Sequence, residues 1–211
     1  MRGKWSCLFV NYLCTRDCPF CAQDRSGTRE LPPRAEGLTF AEPAEYVAYL
    51  ERFGYDGVSF SGGEPLLRSD VVEIVRAVKH AHEPTYVIVV TNGALLDDSM
   101  YLRLREAGMN QLSVSLDFPD ERHDDFRGLP GLYKHLSEIM PQVSALGHDD
   151  IVMNNCITAA NVEDDRAQRR AHRHLDQAHI VDLAGQRKHL CALRPFSADR
   201  RIPVRAPVHD C

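Results

Sequence analysis

The chain has no apolar run approaching the ~20 residues that a helix needs to cross a bilayer, so no membrane span is expected. It has no small-residue cleavage site after its basic, briefly apolar start, MRGKWSCLFVNYLC. Cys14, Thr15, Arg16 and Asp17 follow instead, which reads as a strand entering a functional loop rather than a secretory leader. A cytoplasmic protein is the expectation. No charge dominates: 25 Lys and Arg stand against 30 Asp and Glu, a net of −5, and no nucleic-acid partner is expected from that total. Seven cysteines cannot form a complete intramolecular disulfide framework. With 44% hydrophobic and 26% charged residues, the chain is neither disordered, nor collagen-like, nor a disulfide-dense mini-protein. What remains is a 211-residue chain, long enough for one large domain with a real core.

The hydrophobic pattern alternates between the two regular periods. Strands are predicted over residues 7–13, 57–60, 86–90, 111–116 and 151–158. Helices are predicted over 40–53, 69–82, from Asp97 or Asp98 to Ala107, and over 133–146, where Pro141 argues for a break. Thr39 reads as the N-cap of the first helix, with Glu42 completing a capping box, and Gly54 as its end. Residues 22–38, rich in Arg, Gly and Pro, read as a long loop. Strand–helix alternation implies right-handed βαβ units and a parallel sheet. The loops with polar or glycine chemistry all follow strands, the end at which α/β folds place their sites.

Three cysteines fall within eight residues, Cys14-x-x-x-Cys18-x-x-Cys21. Thiolates this close in a reducing compartment point to metal rather than disulfides. They suit either three corners of an iron–sulfur cube or zinc, the latter with Cys7 or a histidine as fourth ligand. The Cys14–Cys21 loop resembles the signature of the radical S-adenosylmethionine (radical SAM) superfamily, with Phe20 at its usual aromatic position. Ser61-Gly62-Gly63-Glu64-Pro65, Thr91-Asn92-Gly93 and Ser113-Val114-Ser115-Leu116-Asp117 resemble further motifs of that family, in the same order, over residues 5–164. His123-Asp124-Asp125-Phe126-Arg127-Gly128 resembles a loop of the branch that holds molybdenum-cofactor cyclases and peptide-modifying maturases.

The resemblance implies an α/β fold, a parallel (βα) partial TIM barrel of five to six units. It implies a [4Fe–4S] cluster on Cys14, Cys18 and Cys21 and S-adenosylmethionine on the open iron. Reductive cleavage there would yield a 5′-deoxyadenosyl radical for hydrogen abstraction from a small-molecule or peptide substrate, the cofactor carrying the chemistry. Gly62 and Gly63 would lie against the methionine moiety, Glu64 would accept its ammonium, and Phe20 would meet the adenine. Ser115 would contact ribose or methionine, with Asn92 nearby. Asp117 is read as facing substrate or ribose, and Arg127 as a carboxylate clamp or, equally, a surface partner of Asp124. His123 has no partner legible in the sequence. An external one-electron donor, flavodoxin or ferredoxin, is implied.

The family pattern fades after Asp164. Residues 1–164 carry 15 basic and 25 acidic side chains, residues 165–211 carry 10 and 5. This second segment has nine Arg, no Glu and only Ile180 to Leu183 as a short candidate strand; Cys191 and Cys211 are too few for an added four-cysteine cluster. It reads as a basic arm or, the favoured expectation, as a truncated or frame-altered end of the core. A non-catalytic iron–sulfur remnant is therefore the alternative function, and a zinc-binding α/β protein the third.

Overall fold

The computed structural model describes residues 4–11, 13–16, 18, 20–21, 34–35, 38–81, 85–146 and 150–164. The candidate strand at Ile180, Cys191, Cys211 and the basic segment 165–211 lie outside the described residues. Five parallel strands form the sheet: β1 (Trp5–Asn11), β4 (Gly57–Gly62), β5 (Tyr86–Thr91), β6 (Gln111–Ser115) and β7 (Ile151–Asn154). Helices α1 (Pro43–Phe53), α2 (Val71–Ala81), α3 (Asp98–Glu106) and α5 (Leu132–Ala145) alternate with them, and a short α4 (Arg122–Arg127) precedes α5. The sheet is an open partial barrel, as the α/β alternation predicts. One element departs from the reading of 22–38 as loop. Strands β2 (Arg34–Ala35) and β3 (Leu38–Thr39) form an antiparallel hairpin on the outer edge of β1. Two-residue strands leave no period-2 pattern to read.

The sheet has two chemically different faces. Leu8, Phe60, Val89 and Leu112 stand side by side in register. With Val58, Val87 and Val114 they are closed over by helix side chains such as Tyr46, Ile74, Val75, Tyr101, Leu136 and Val143. Burying each such side chain contributes ~1.5–3 kcal/mol. The other face carries Cys7, Ser59, Ser61, Ile88, Val90, Ser113 and Ser115, smaller or more polar, and mostly half-buried. Only one face therefore presents a continuous apolar wall to helices.

The helix ends show local chemistry. Asp97 caps α3, its carboxylate accepting the Met100 N–H at 2.7 Å. Gly54 ends α1 at φ +65°, donating to the Leu50 carbonyl at 2.9 Å. The expected Thr39 cap is displaced by the hairpin: Thr39 sits in β3, Glu42 is the N-cap without a side-chain bond, and Glu45 reaches back to the Ala41 N–H at 2.8 Å. Pro141 does not break α5. It lies on the exposed side with Ser137, the residue whose carbonyl it leaves without an N–H, so water can serve that carbonyl while Leu136, Ile139 and Val143 hold the buried side.

Gly62 ends β4 at φ +128°, opposite Asn11 of β1. A Cβ there would lie 2.3 Å from the Asn11 carbonyl oxygen, and Gly63 N–H donates to that same oxygen at 3.0 Å. The glycine is required by the neighbouring strand, independently of any ligand.

Candidate functional site

Each of the first four parallel strands delivers a predicted motif at its C-terminal end. The cysteine loop follows β1, Gly63 and Glu64 follow β4, Asn92 and Gly93 follow β5, and Ser115 closes β6 just before Asp117. The structure joins several of them directly. The Asn92 side-chain amide donates to Cys14 Sγ at 3.7 Å and to Thr15 Oγ1 at 3.3 Å, across a separation of 78 and 77 residues. Its oxygen accepts the Ala94 N–H at 3.0 Å, fixing the turn.

Glu64 is completely buried. Its Oε1 accepts the Thr91 hydroxyl at 2.6 Å and the Leu66 N–H at 3.0 Å, and its Oε2 accepts the Asn92 N–H at 2.8 Å. Thr91 Oγ1 in turn accepts the Gly93 N–H at 3.0 Å. Burial pushes the Glu64 carboxyl above its ordinary value, while Thr91, Asn92, Leu66 and the Arg16 charge pull it back. The carboxylate thus ties the glycine strip of β4 to the turn after β5. It is an internal strap, more enclosed than a side chain extended toward a ligand.

Cys18 is buried, Cys14 half-buried and Cys21 exposed, and none of the three is in a disulfide. Burial pushes the Cys14 and Cys18 thiols up, with each other and Cys21 within electrostatic reach. Cys18 Sγ donates to the Arg127 carbonyl at 3.6 Å. Phe20 stacks on Phe126 with ring centroids 4.4 Å apart, and the Arg127 guanidinium lies 5.1 Å from the Phe20 ring centre. The α4 residues therefore brace the cysteine loop, and the Phe20 ring is engaged in that brace.

Asp117 and Arg127 meet each other rather than solvent. Arg127 Nε bonds Asp117 Oδ2 at 2.5 Å, with the carboxylate fully enclosed. Burial opposes the Arg127 charge, but Asp117 outweighs it and holds the guanidinium above its ordinary value. The expected alternative, pairing with Asp124, is not formed: Asp124 accepts the Gly131 and Tyr133 N–H groups at 2.5 and 2.6 Å, at the start of α5. Asp117 Oδ1 accepts the Cys156 N–H at 2.8 Å. Ser115 is buried at the end of β6, in register with Asn154.

Three residues that sequence reasoning did not assign complete this region. His123, fully buried, accepts the Asp117 N–H on Nδ1 at 3.1 Å. Asn161 donates to the Asp117 carbonyl at 3.0 Å and the Cys156 carbonyl at 2.9 Å. Arg16 is 7% exposed inside the cysteine loop. A position six residues past Asp117 on a short helix gave no periodic signal for His123, and an Arg between clustered cysteines reads as solvated.

His123 carries a pH prediction. Burial pushes it down to about 4 from 6.5, with Asp117 opposing and Arg127 assisting. The unfolded chain therefore binds the proton more readily between those values. Stability from this group is full above pH 6.5 and is lost as pH falls through 4, a total of about 3 kcal/mol. Urea unfolding at pH 7 and pH 5 should show wild type losing more stability than His123→Gln. Equal losses in both proteins would refute the assignment.

The sequence profile of the Radical SAM superfamily matches residues 9–186. An AdoMet-dependent heme synthase of Methanosarcina barkeri is 38% identical over 122 residues, 57% of this chain and 33% of that protein. A GTP 3′,8-cyclase of Chlorobaculum tepidum is 32% identical over 111 residues, 53% of this chain and 32% of that protein. The chain spans about a third of the length of these curated relatives. Among solved structures, Streptococcus suis SuiB shares the fold with a TM-score of 0.61 at 17% identity, over 78% of this chain and 35% of that one.

Proposed function

Because the chain belongs to the radical SAM superfamily, we propose that it binds a [4Fe–4S] cluster through Cys14, Cys18 and Cys21 and cleaves S-adenosylmethionine reductively. The radical so produced would abstract hydrogen from a small-molecule or peptide substrate. The observation that carries this reading is Asn92, whose side chain touches Cys14 and Thr15 while its N–H bonds Glu64. One residue thereby brings the cysteine loop, the glycine strip and the β5 turn to one end of the sheet.

The donor set supports the cluster. Among the described residues no three His, Cys, Asp or Glu side chains converge to hold a single ion. A cubane does not need such convergence, since each cysteine takes its own iron. Three soft thiolates also leave one iron for a small molecule. When bound, the cluster supplies the electron that splits S-adenosylmethionine into methionine and a 5′-deoxyadenosyl radical.

The chain's own residues position and shield. Gly63 and Ser115 border the site, and we assign them to the methionine and ribose parts. Glu64 fixes the strip that meets the ammonium. Asn92 orients Cys14, and Phe20 offers its backbone to the adenine while its ring braces α4. The Asp117–Arg127 pair holds α4 against the cysteine loop. An external one-electron carrier of the flavodoxin or ferredoxin type would supply the reductant. No helix among the described residues is long and apolar enough to cross a membrane.

Anaerobic reconstitution with iron and sulfide should give a brown protein with broad absorption near ~400 nm. Dithionite and S-adenosylmethionine should then release 5′-deoxyadenosine. A loaded, folded protein that releases none is the non-catalytic iron–sulfur alternative, and a colourless zinc protein rules out both.

A further inference from the structure

Arg16 is the most anomalous charge among the described residues. It lies in the middle of the cysteine loop, 7% exposed, and its Nε and Nη1 atoms are enclosed without a hydrogen-bond partner. A buried guanidinium in that state is costly, and such groups are normally paired. Among the described residues, the groups within its electrostatic reach are Cys14, Cys18, Glu64 and His123. The Glu64 oxygens are already bonded to Thr91, Leu66 and Asn92. His123 spends its acceptor nitrogen on the Asp117 N–H, so among the described residues the sulfurs of Cys14 and Cys18 are the acceptors left to complete Arg16. Its backbone already takes part, since the Arg16 N–H is directed at Cys14 Sγ. Arg127, the other cation beside Cys18, is paired with Asp117 and also reaches the Cys18 sulfur, so Arg16 is a second positive charge at that thiol and the one without a carboxylate partner.

We propose that Arg16 is a buried counter-charge to the metal-bound thiolates of Cys14 and Cys18, presenting its free Nε–H and Nη1–H to the sulfurs and thereby setting the reduction potential of the group they hold. The proposal rests on the reading that these cysteines bind an iron–sulfur cluster. Arg16 acts through the ligands and is a positioning residue. A fixed positive charge and N–H···S bonds both stabilise the more negative, reduced state, so their removal drives the potential down. Lysine keeps the charge but is a compact ammonium that cannot present the planar fork.

The test uses the full chain, reconstituted anaerobically, as wild type, Arg16→Met, Arg16→Lys and, as a surface control, Arg76→Met. Iron and sulfide per chain are measured, circular dichroism reports folding, and electron paramagnetic resonance follows a redox titration. Arg16→Met should titrate at a more negative potential than wild type, with Arg16→Lys between them and Arg76→Met unchanged. A folded Arg16→Met that takes up no iron, while Arg16→Lys does, also supports the counter-charge. A loaded Arg16→Met at the wild-type potential overturns it, and so does loss of iron from both folded variants alike. If Arg16→Met fails to fold, Arg16→Lys decides: a negative shift supports the proposal, an unchanged potential overturns it. Failure of wild type itself to take up iron is a different result, and rejects the cluster reading on which the proposal stands.

Discussion

Cys18→Ala should abolish cluster retention, leaving a colourless chain after the reconstitution that turns wild type brown. Cys18 is the most enclosed of the three loop cysteines. It is also the one anchored from the far side, through its bond to the Arg127 carbonyl. Under the proposed ligation, its loss would leave two cysteines for a cube that takes three protein corners. A cluster held by two thiolates is exposed to solvent and to exchange. The fold should survive, because removing one small buried thiol costs only about 1 kcal/mol. The control is Cys156→Ala. Cys156 lies beyond β7, and its backbone N–H, not its thiol, serves Asp117, so iron content there should equal wild type. Iron determination and the visible spectrum read both variants. A Cys18→Ala chain that keeps its full iron would show that the ligand assignment is wrong.

Glu64→Ala should lower stability by about 3 kcal/mol. Removing the carboxylate strips an acceptor from three enclosed donors: the Thr91 hydroxyl, the Leu66 N–H and the Asn92 N–H. Thr91 can rotate; the two backbone groups cannot. Glu64→Gln is intermediate, because its NH2 must face one of those N–H groups whichever way the amide turns. The sign of the pH dependence follows from burial, which raises the folded carboxyl above 4.5. The folded chain holds that proton better. Its contribution is complete below pH 4.5 and is lost as pH rises through the raised value, opposite in direction to His123. Urea denaturation of the three proteins at neutral pH reads the first claim. Glu64→Ala within 0.5 kcal/mol of wild type would refute the strap.

The sequence was most legible where one force dominated. The β-branched run from Tyr86 to Thr91 had only one way to be buried, and it forms β5. Asp97 and Gly54 sit where helix ends need an acceptor and a left-handed residue, and they cap α3 and α1. Legibility failed where tertiary contacts decide. The hairpin pairs β1 with residues that carry no strand pattern of their own. Pro141 depends on which side of α5 meets water. Of the site, the motifs were readable, and so was their arrival at one end of the sheet. The direction of the side chains was not. Asp117 and Arg127, read as open to a ligand or to Asp124, close on each other. Glu64 turns inward, and Arg16, with no motif to announce it, is buried between two cysteines.

The bridge made by Asn92 has a thermodynamic consequence. Its side chain is fastened to the loop that would carry metal, and its backbone to the carboxylate that shapes the neighbouring strip. Whatever orders the loop also restrains the strip, and the reverse holds with the same factor, because coupling between two binding events is reciprocal. Metal occupancy should therefore raise affinity for a ligand on the strip, and that ligand should slow the loss of metal, each to the same extent in free energy. Breaking the bridge would uncouple the two occupancies while leaving each site's own atoms in place.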